Sequence, residues 1–444
     1  MKKIKSAIAL LVCLCVTASL ASCAPAPGGS DVPASENVPE VNTATPQTTT
    51  PDVTPPPGTG VASGLLADGA NGFAFRLSAA LVKNAGDENF VCSPYSVWLP
   101  LAALVSATDE QSKPALLSAL GAADISETHI NEATQQMLYD LTNLRGKEYE
   151  GYYNPLKIVN AIFVDDNVTL KQAFAQNFAG NFSGNAMNVD FSSADAVDAV
   201  NRWASENTDG LITDIVEEFD PQTVAAIANA IYFSDVWSWE FNAAETTEDV
   251  FHAPAGDTTA FYMLREGKQQ LYYEDDKLQA MPLEFLNGGG MYILLPKDGG
   301  ASELLASMTG EYFNEIRAGA QQADGKLLLP RFSIENDIKG LKDVLIALGV
   351  PLFDEEAAPL TGLIEEDEDL WLSDAIHKAV IEVDEKGTTA AAVTIMPVPR
   401  SAPYEPPPTA PFEMICDKPF AFILYETASG GEYPILFTGV VNQP

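Results

Sequence analysis

The stretch LSDAIHKAVIEVDEKGTTAAAVT, Leu372 to Thr394, changes character within a single run of residues. From Ala375 to Val383 it alternates, with His377, Ala379, Ile381 and Val383 on one side, the period-two pattern of a strand with one covered face. From Gly387 it becomes a run of small residues, and it then enters IMPVPRSAPYEPPPTAP, Ile395 to Pro411. That segment is too rich in proline to join a sheet, because proline cannot donate to a ladder. A strand-compatible run thus stands directly before a loop of about residues 388–412 that carries one arginine, Arg400. Loops of this length in a compact domain mark function.

Working outward, Asn71 to Leu81 places Phe73, Leu77, Ala80 and Leu81 at helical spacing. A short strand at Asn89 to Cys92 runs into Ser93-Pro94, where a new apolar helix begins. Thr223 to Phe233 (TVAAIANAIYF) is almost wholly apolar or small, which predicts a strand covered on both faces. Leu278 to Leu286 and Met291 to Leu295, joined by Asn287-Gly288-Gly289-Gly290, predict a hairpin. Those glycines do not form a phosphate loop, since no helix and no suitably spaced lysine follow. The pattern is mixed α+β, without internal repeats.

The N-terminus stands apart. Lys2, Lys3 and Lys5 precede the apolar run Ala7 to Val16, too short to span a bilayer, which predicts an export signal over residues 1–22. It closes on Leu20-Ala21-Ser22-Cys23, which resembles the lipobox of bacterial lipoproteins, with Cys23 as the lipidated first residue. Residues 23–60 are Pro, Thr, Ala, Gly and Ser with almost no large apolar side chains. They are expected to form a disordered, extended tether. Residues 61–444 are expected to form one domain, since no second linker interrupts them.

The formal net charge of -38 argues against nucleic acid or an anionic membrane face as partner. Membrane contact is expected only through the lipid anchor, on the outer face of the cell membrane. Of five cysteines, Cys13 and Cys15 leave with the signal and Cys23 carries lipid. Cys92 and Cys416 lie in apolar surroundings as small buried hydrophobes. His129, His252 and His377 have no nearby partner in sequence, and none sits in a G-x-S-x-G or HExxH frame. The acidic run Glu365 to Asp369 lacks the alternation of a calcium loop. No catalytic centre, metal or cofactor is expected.

Five segments carry a family likeness in order: NFVCSPYSVWLPLAAL (89–104), NAIYFSDVWSWEF (229–241), LPRFSIENDIKGLKDVLIALGV (329–350), the opening stretch, and FEMICDKPFAFILYE (412–426). From about Asp68 to Pro444 the chain resembles a serpin. The resemblance implies an α+β domain of three β-sheets and about nine helices, monomeric, with an exposed reactive-centre loop at about 385–412 that the largest sheet can accept as an extra strand. It implies that Ser93, Ser96, Asn229 and His377 form the shutter under that sheet and Trp237 the breach where insertion begins. Glu385, Gly387, Thr388, Ala390, Ala391 and Ala392 match the hinge.

The function implied is inhibition of a serine protease, trypsin-like or elastase-like, whose acyl-enzyme is stranded when the cut loop inserts. The family's spacing from Glu385 reaches Ser401-Ala402, whereas Arg400-Ser401 is the bond that suits a trypsin-like pocket. Cutting after Ser401 or Val393 suits an elastase-like one. The loop is longer than usual for the family, and Pro397 and Pro399 oppose complete insertion. The alternatives are a non-inhibitory binding serpin and an inhibitor of papain-like cysteine proteases.

Overall fold

The structure, a computed structural model, describes residues 62–145, 156–388 apart from 194, 209, 211, 220–222 and 368, and 411–444 apart from 429 and 430. Nine α-helices and sixteen strands occur among them. The helices that matter most for the site are α1 (Ala62–Ala85) and α2 (Pro94–Ala103). The first eight strands are β1 (Phe90–Cys92), β2 (Leu156–Asp165), β3 (Gly184–Val189), β4 (Ala225–Phe233), β5 (Asp235–Val236), β6 (Thr247–Ala253), β7 (Gly256–Glu274) and β8 (Leu278–Glu284). The others are β9 (Gly290–Pro296), β10 (Gln321–Pro330), β11 (Phe332–Asp337), β12 (Asp374–Val383), β13 (Gly387–Thr388), β14 (Phe412–Ile415), β15 (Phe420–Ala428) and β16 (Gly431–Val441).

One sheet of seven strands has the order β3-β2-β4-β12-β13-β5, with β11 also paired to β12. The other nine strands form one hydrogen-bonded network that is two sheets in practice. The set β1-β16-β15-β9-β8 meets the set β6, β7, β10 and β14 only where Tyr273 and Glu274 of β7 pair with Ala280 and Gln279 of β8. Three sheets result, as the serpin likeness implies.

The predicted elements fall where their patterns put them. The helix expected over 71–81 is the middle of the longer α1. β4 is covered on both faces: Ala225, Ile227 and Ile231 belong to the main core, while Ala226 and Ala228 face a second core with Val200 and Trp203 of the helix Asp195–Asn207. β8 and β9 form the expected hairpin. Its turn needs glycine, since Gly288 and Gly289 have φ of 107° and 68°. Every residue of α2 is buried, and a helix apolar on all sides belongs inside a core.

Candidate functional site: the slot in the large sheet

Ser93 follows β1 and occupies the N-cap position of α2, and Pro94 gives that helix a first residue that needs no donor. The Ser93 hydroxyl does not cap the helix but pairs with Ser96 Oγ at 2.8 Å, both residues fully buried. The Ser93 N–H therefore points sideways and donates to His377 Nε2 at 3.0 Å. With Nε2 accepting, the imidazole proton sits on Nδ1. Burial keeps the ring neutral, its pKa pushed down to about 4.

His377 stands opposite Asn229 in the parallel register of β12 and β4. Asn229 turns its amide away, donating to Val159 O at 3.2 Å and to Asn160 Oδ1 at 2.5 Å, and Asn160 in turn donates to Phe182 O at 2.9 Å. His377 Nδ1 and Asn229 Oδ1 are both buried without a partner among the described residues. Each such atom costs about 1–3 kcal/mol.

Pairing between β4 and β12 stops at Ala230 and Lys378. Beyond that point, Ile231–Phe233 pair only with β2 and Ala379–Glu382 only with β11, among the described residues. The two strands diverge, and β13 enters the gap at its top. Thr388 lies antiparallel to Val383 on one side and to Asp235 on the other, while Gly387 faces Val236. The Asp235 N–H donates to Thr388 Oγ1, and Ser234 Oγ to Thr388 O, each at 3.3 Å. Only glycine fits at 387, because a Cβ there would overlap the Asp235 carbonyl and stand 2.7 Å from Val236 Cα.

The chain leading into this entry point is bonded in place. Arg331 donates to Glu385 Oε1 from Nε at 2.9 Å and from Nη2 at 2.5 Å, and Thr246 Oγ1 adds a third bond at 2.5 Å. Burial alone would raise the Glu385 pKa, but these hydrogen bonds hold it below the usual carboxylate range. The Trp237 ring is buried, stacked on Phe285 at 4.7 Å and 8°. Its Nε1 donates to Asp384 O at 2.9 Å, its N–H to Lys386 O at 2.7 Å, and the Phe241 N–H to Glu385 O at 2.8 Å.

A family model described as Serpin (serine protease inhibitor) matches residues 68–444. The chain belongs to the serpin family. An uncharacterised serpin-like protein of Thermococcus kodakarensis is 30% identical over 377 residues, covering 84% of this chain and 84% of that one. Alpha-1-antitrypsin 1-4 of Mus musculus is 29% identical over 388 residues, covering 86% and 90%. The solved structure of human thyroxine-binding globulin complexed with thyroxine has a TM-score of 0.76 at 23% identity, covering 86% of this chain and 99% of that one. That last likeness is one of fold.

Within this serpin, Ser93, Ser96 and His377 meet in one cluster, with Asn229 beside it, and Trp237 closes the top of the slot. The exposed loop expected from about residue 385 is corrected at its start: Glu385 is 6% and Thr388 1% exposed, because β13 already occupies the sheet. Ala390, Ala391, Ala392, the bonds Arg400-Ser401 and Ser401-Ala402, and Cys23 lie outside the described residues. Sequence reasoning missed Asn160, Thr246 and Arg331. None of them carries a local signal, since each acts through a partner distant in sequence.

Proposed function

We propose that this serpin is an inhibitor that traps a serine protease as an acyl-enzyme and accepts its own cut loop as a strand of the seven-stranded sheet. One observation carries the reading: β4 and β12 diverge above Ala230 and Lys378, and β13 stands in the gap they leave. Unpaired strand edges are templates for another strand. Here both edges face the same gap, and the small residues Thr389 to Val393 that follow β13 in sequence bring no charge into it.

The protease serine attacks the Arg400 carbonyl carbon, the Arg400-Ser401 bond breaks with Ser401 leaving as an amine, and Arg400 remains on the enzyme as an ester. From Gly387 to Arg400 an extended strand reaches roughly 45 Å. Insertion drags the protease over that distance and pulls its oxyanion hole out of register, which stalls deacylation. Arg400 suits a trypsin-like pocket, and Ser401-Ala402 is the bond for an elastase-like one. The signal and lipobox-like sequence over residues 1–23 support export and lipid anchoring through Cys23, with residues 23–60 as tether.

A second reading, a non-inhibitory binding serpin, is favoured by a cavity of about 290 Å³ between α1, the helix Gly310–Gly319 and strands β15 and β16, lined by Asn71, Phe75, Phe313, Arg317 and Tyr425. Mixing the protein with trypsin-like and elastase-like proteases separates the two readings. The inhibitor forms a complex that survives boiling in detergent, whereas the binding protein is only cut.

A further inference from the structure

Arg265 of β7 is a buried charge without an ion-pair partner among the described residues. It is 7% exposed, and its Nε has no hydrogen-bond partner there. Burial pushes its pKa down to about 10, and the one acidic group acting on it, Glu284, is exposed and not bonded to it. The guanidinium stacks over the Phe241 ring at 4.5 Å and lies 5.9 Å from the Trp239 ring centre. Its Nη2 donates to the Trp239 backbone carbonyl. A buried, unpaired cation is costly for stability, so Arg265 is not explained as a stabilising residue.

The bonds to the hinge supply a role. Trp239 is the middle of the segment Trp237–Phe241, whose two ends bond the hinge: Trp237 to Asp384 and Lys386, and Phe241 to Glu385. The Trp239 indole is 54% exposed, so the core does not hold this segment through that side chain. The buried Trp237 and Phe241 rings anchor its two ends, and Arg265 fixes the stretch between them, through the Trp239 backbone carbonyl and the face of the Phe241 ring.

We infer that Arg265 is a positioning residue for the hinge, holding Trp237–Phe241 in the one conformation that keeps Asp384–Lys386, and with them β13, at the mouth of the slot. The inference rests on the inhibitory reading for its functional consequence only. The geometry it describes belongs to the uncut protein.

Arg265→Met keeps the length and apolar stem of the side chain and removes the charge and the donor, while Arg265→Lys returns a donor. Hydrogen exchange on the uncut, full chain reads the result. The amides of Trp237 and Phe241 should exchange at least about tenfold faster in Arg265→Met. The lysine variant should recover part of the protection, and the methionine variant should melt at the same temperature as the parent or higher. Its stoichiometry of inhibition should rise, with more chains cut per protease trapped. Unchanged exchange at Trp237 and Phe241, or faster exchange throughout with a lower melting temperature, would overturn the inference. If the methionine variant fails to fold, Arg265→Gln is read in the same way. Local acceleration in a protein that traps no protease leaves the positioning role standing and removes the inhibitory reading.

Discussion

Thr388 sits between Val383 and Asp235 as a third strand's residue, its hydroxyl accepting the Asp235 N–H at 3.3 Å and its side chain out of solvent. Position 388 is therefore sensitive before any protease arrives. Thr388→Arg would bury an unpaired guanidinium at a cost of several kcal/mol, more than a two-residue strand returns. The hinge should leave the sheet, the amides of Asp235 and Trp237, which donate to Thr388 Oγ1 and Lys386 O, should lose protection in hydrogen exchange, and the variant should be cut as a substrate without trapping the enzyme. Parent-like protection and trapping would show that residue 388 tolerates charge and does not enter the sheet.

Gly387→Ala tests the same entry point by bulk rather than charge. The added methyl overlaps the Asp235 carbonyl, so β13 must shift or leave, at about 1–3 kcal/mol. A lower denaturation midpoint with an unchanged slope is the expected result in urea.

The Arg331–Glu385 pair sets an acid limb. A carboxylate whose pKa is lowered by folding contributes stability above its unfolded value, 4.5, and loses it as pH falls through the folded value. The Arg331 side chain is 44% exposed, so the pair is worth about 1 kcal/mol. Arg331→Ala should lower stability at pH 7 by about that amount and converge on the parent as pH falls through the lowered Glu385 value, beneath 4.5.

His377 gives a second, separate limb. Its folded pKa is depressed from 6.5 to about 4, so the unfolded chain binds the proton first and stability declines as pH falls between those values. The interval bounds the loss at about 3 kcal/mol. His377→Gln should flatten the slope between pH 6.5 and 4 while leaving the limb at lower pH intact, as measured by urea melts across that range.

Much of this arrangement is readable in the sequence because it rests on periodicity and local chemistry. The alternation from Ala375 to Val383 fixes which face of β12 is buried, and the unbroken apolar run of β4 shows that it is covered twice. The burial of Gly387 and Thr388 is not readable there. It depends on pairing with Asp235 and Val236, and Thr388 is 153 residues from Asp235 in the chain. Nothing in the sequence around Arg331 or Arg265 marks its partner. Only the folded chain brings Glu385 to the first and Trp239 to the second.

The proposed lipid anchoring rests on Cys23 alone. Cys23→Ala should move the protein from the membrane fraction to the soluble fraction or leave its signal uncleaved, as read by fractionation and intact mass.

On the inhibitory reading, the cut loop becomes a strand between β4 and β12. Melting the chain before and after cleavage in the loop, with no protease attached, tests it most directly. Insertion pairs the free edges of Ile231–Phe233 and Ala379–Glu382. The cut protein should therefore melt well above the uncut one. An equal or lower melting temperature after cleavage would contradict it.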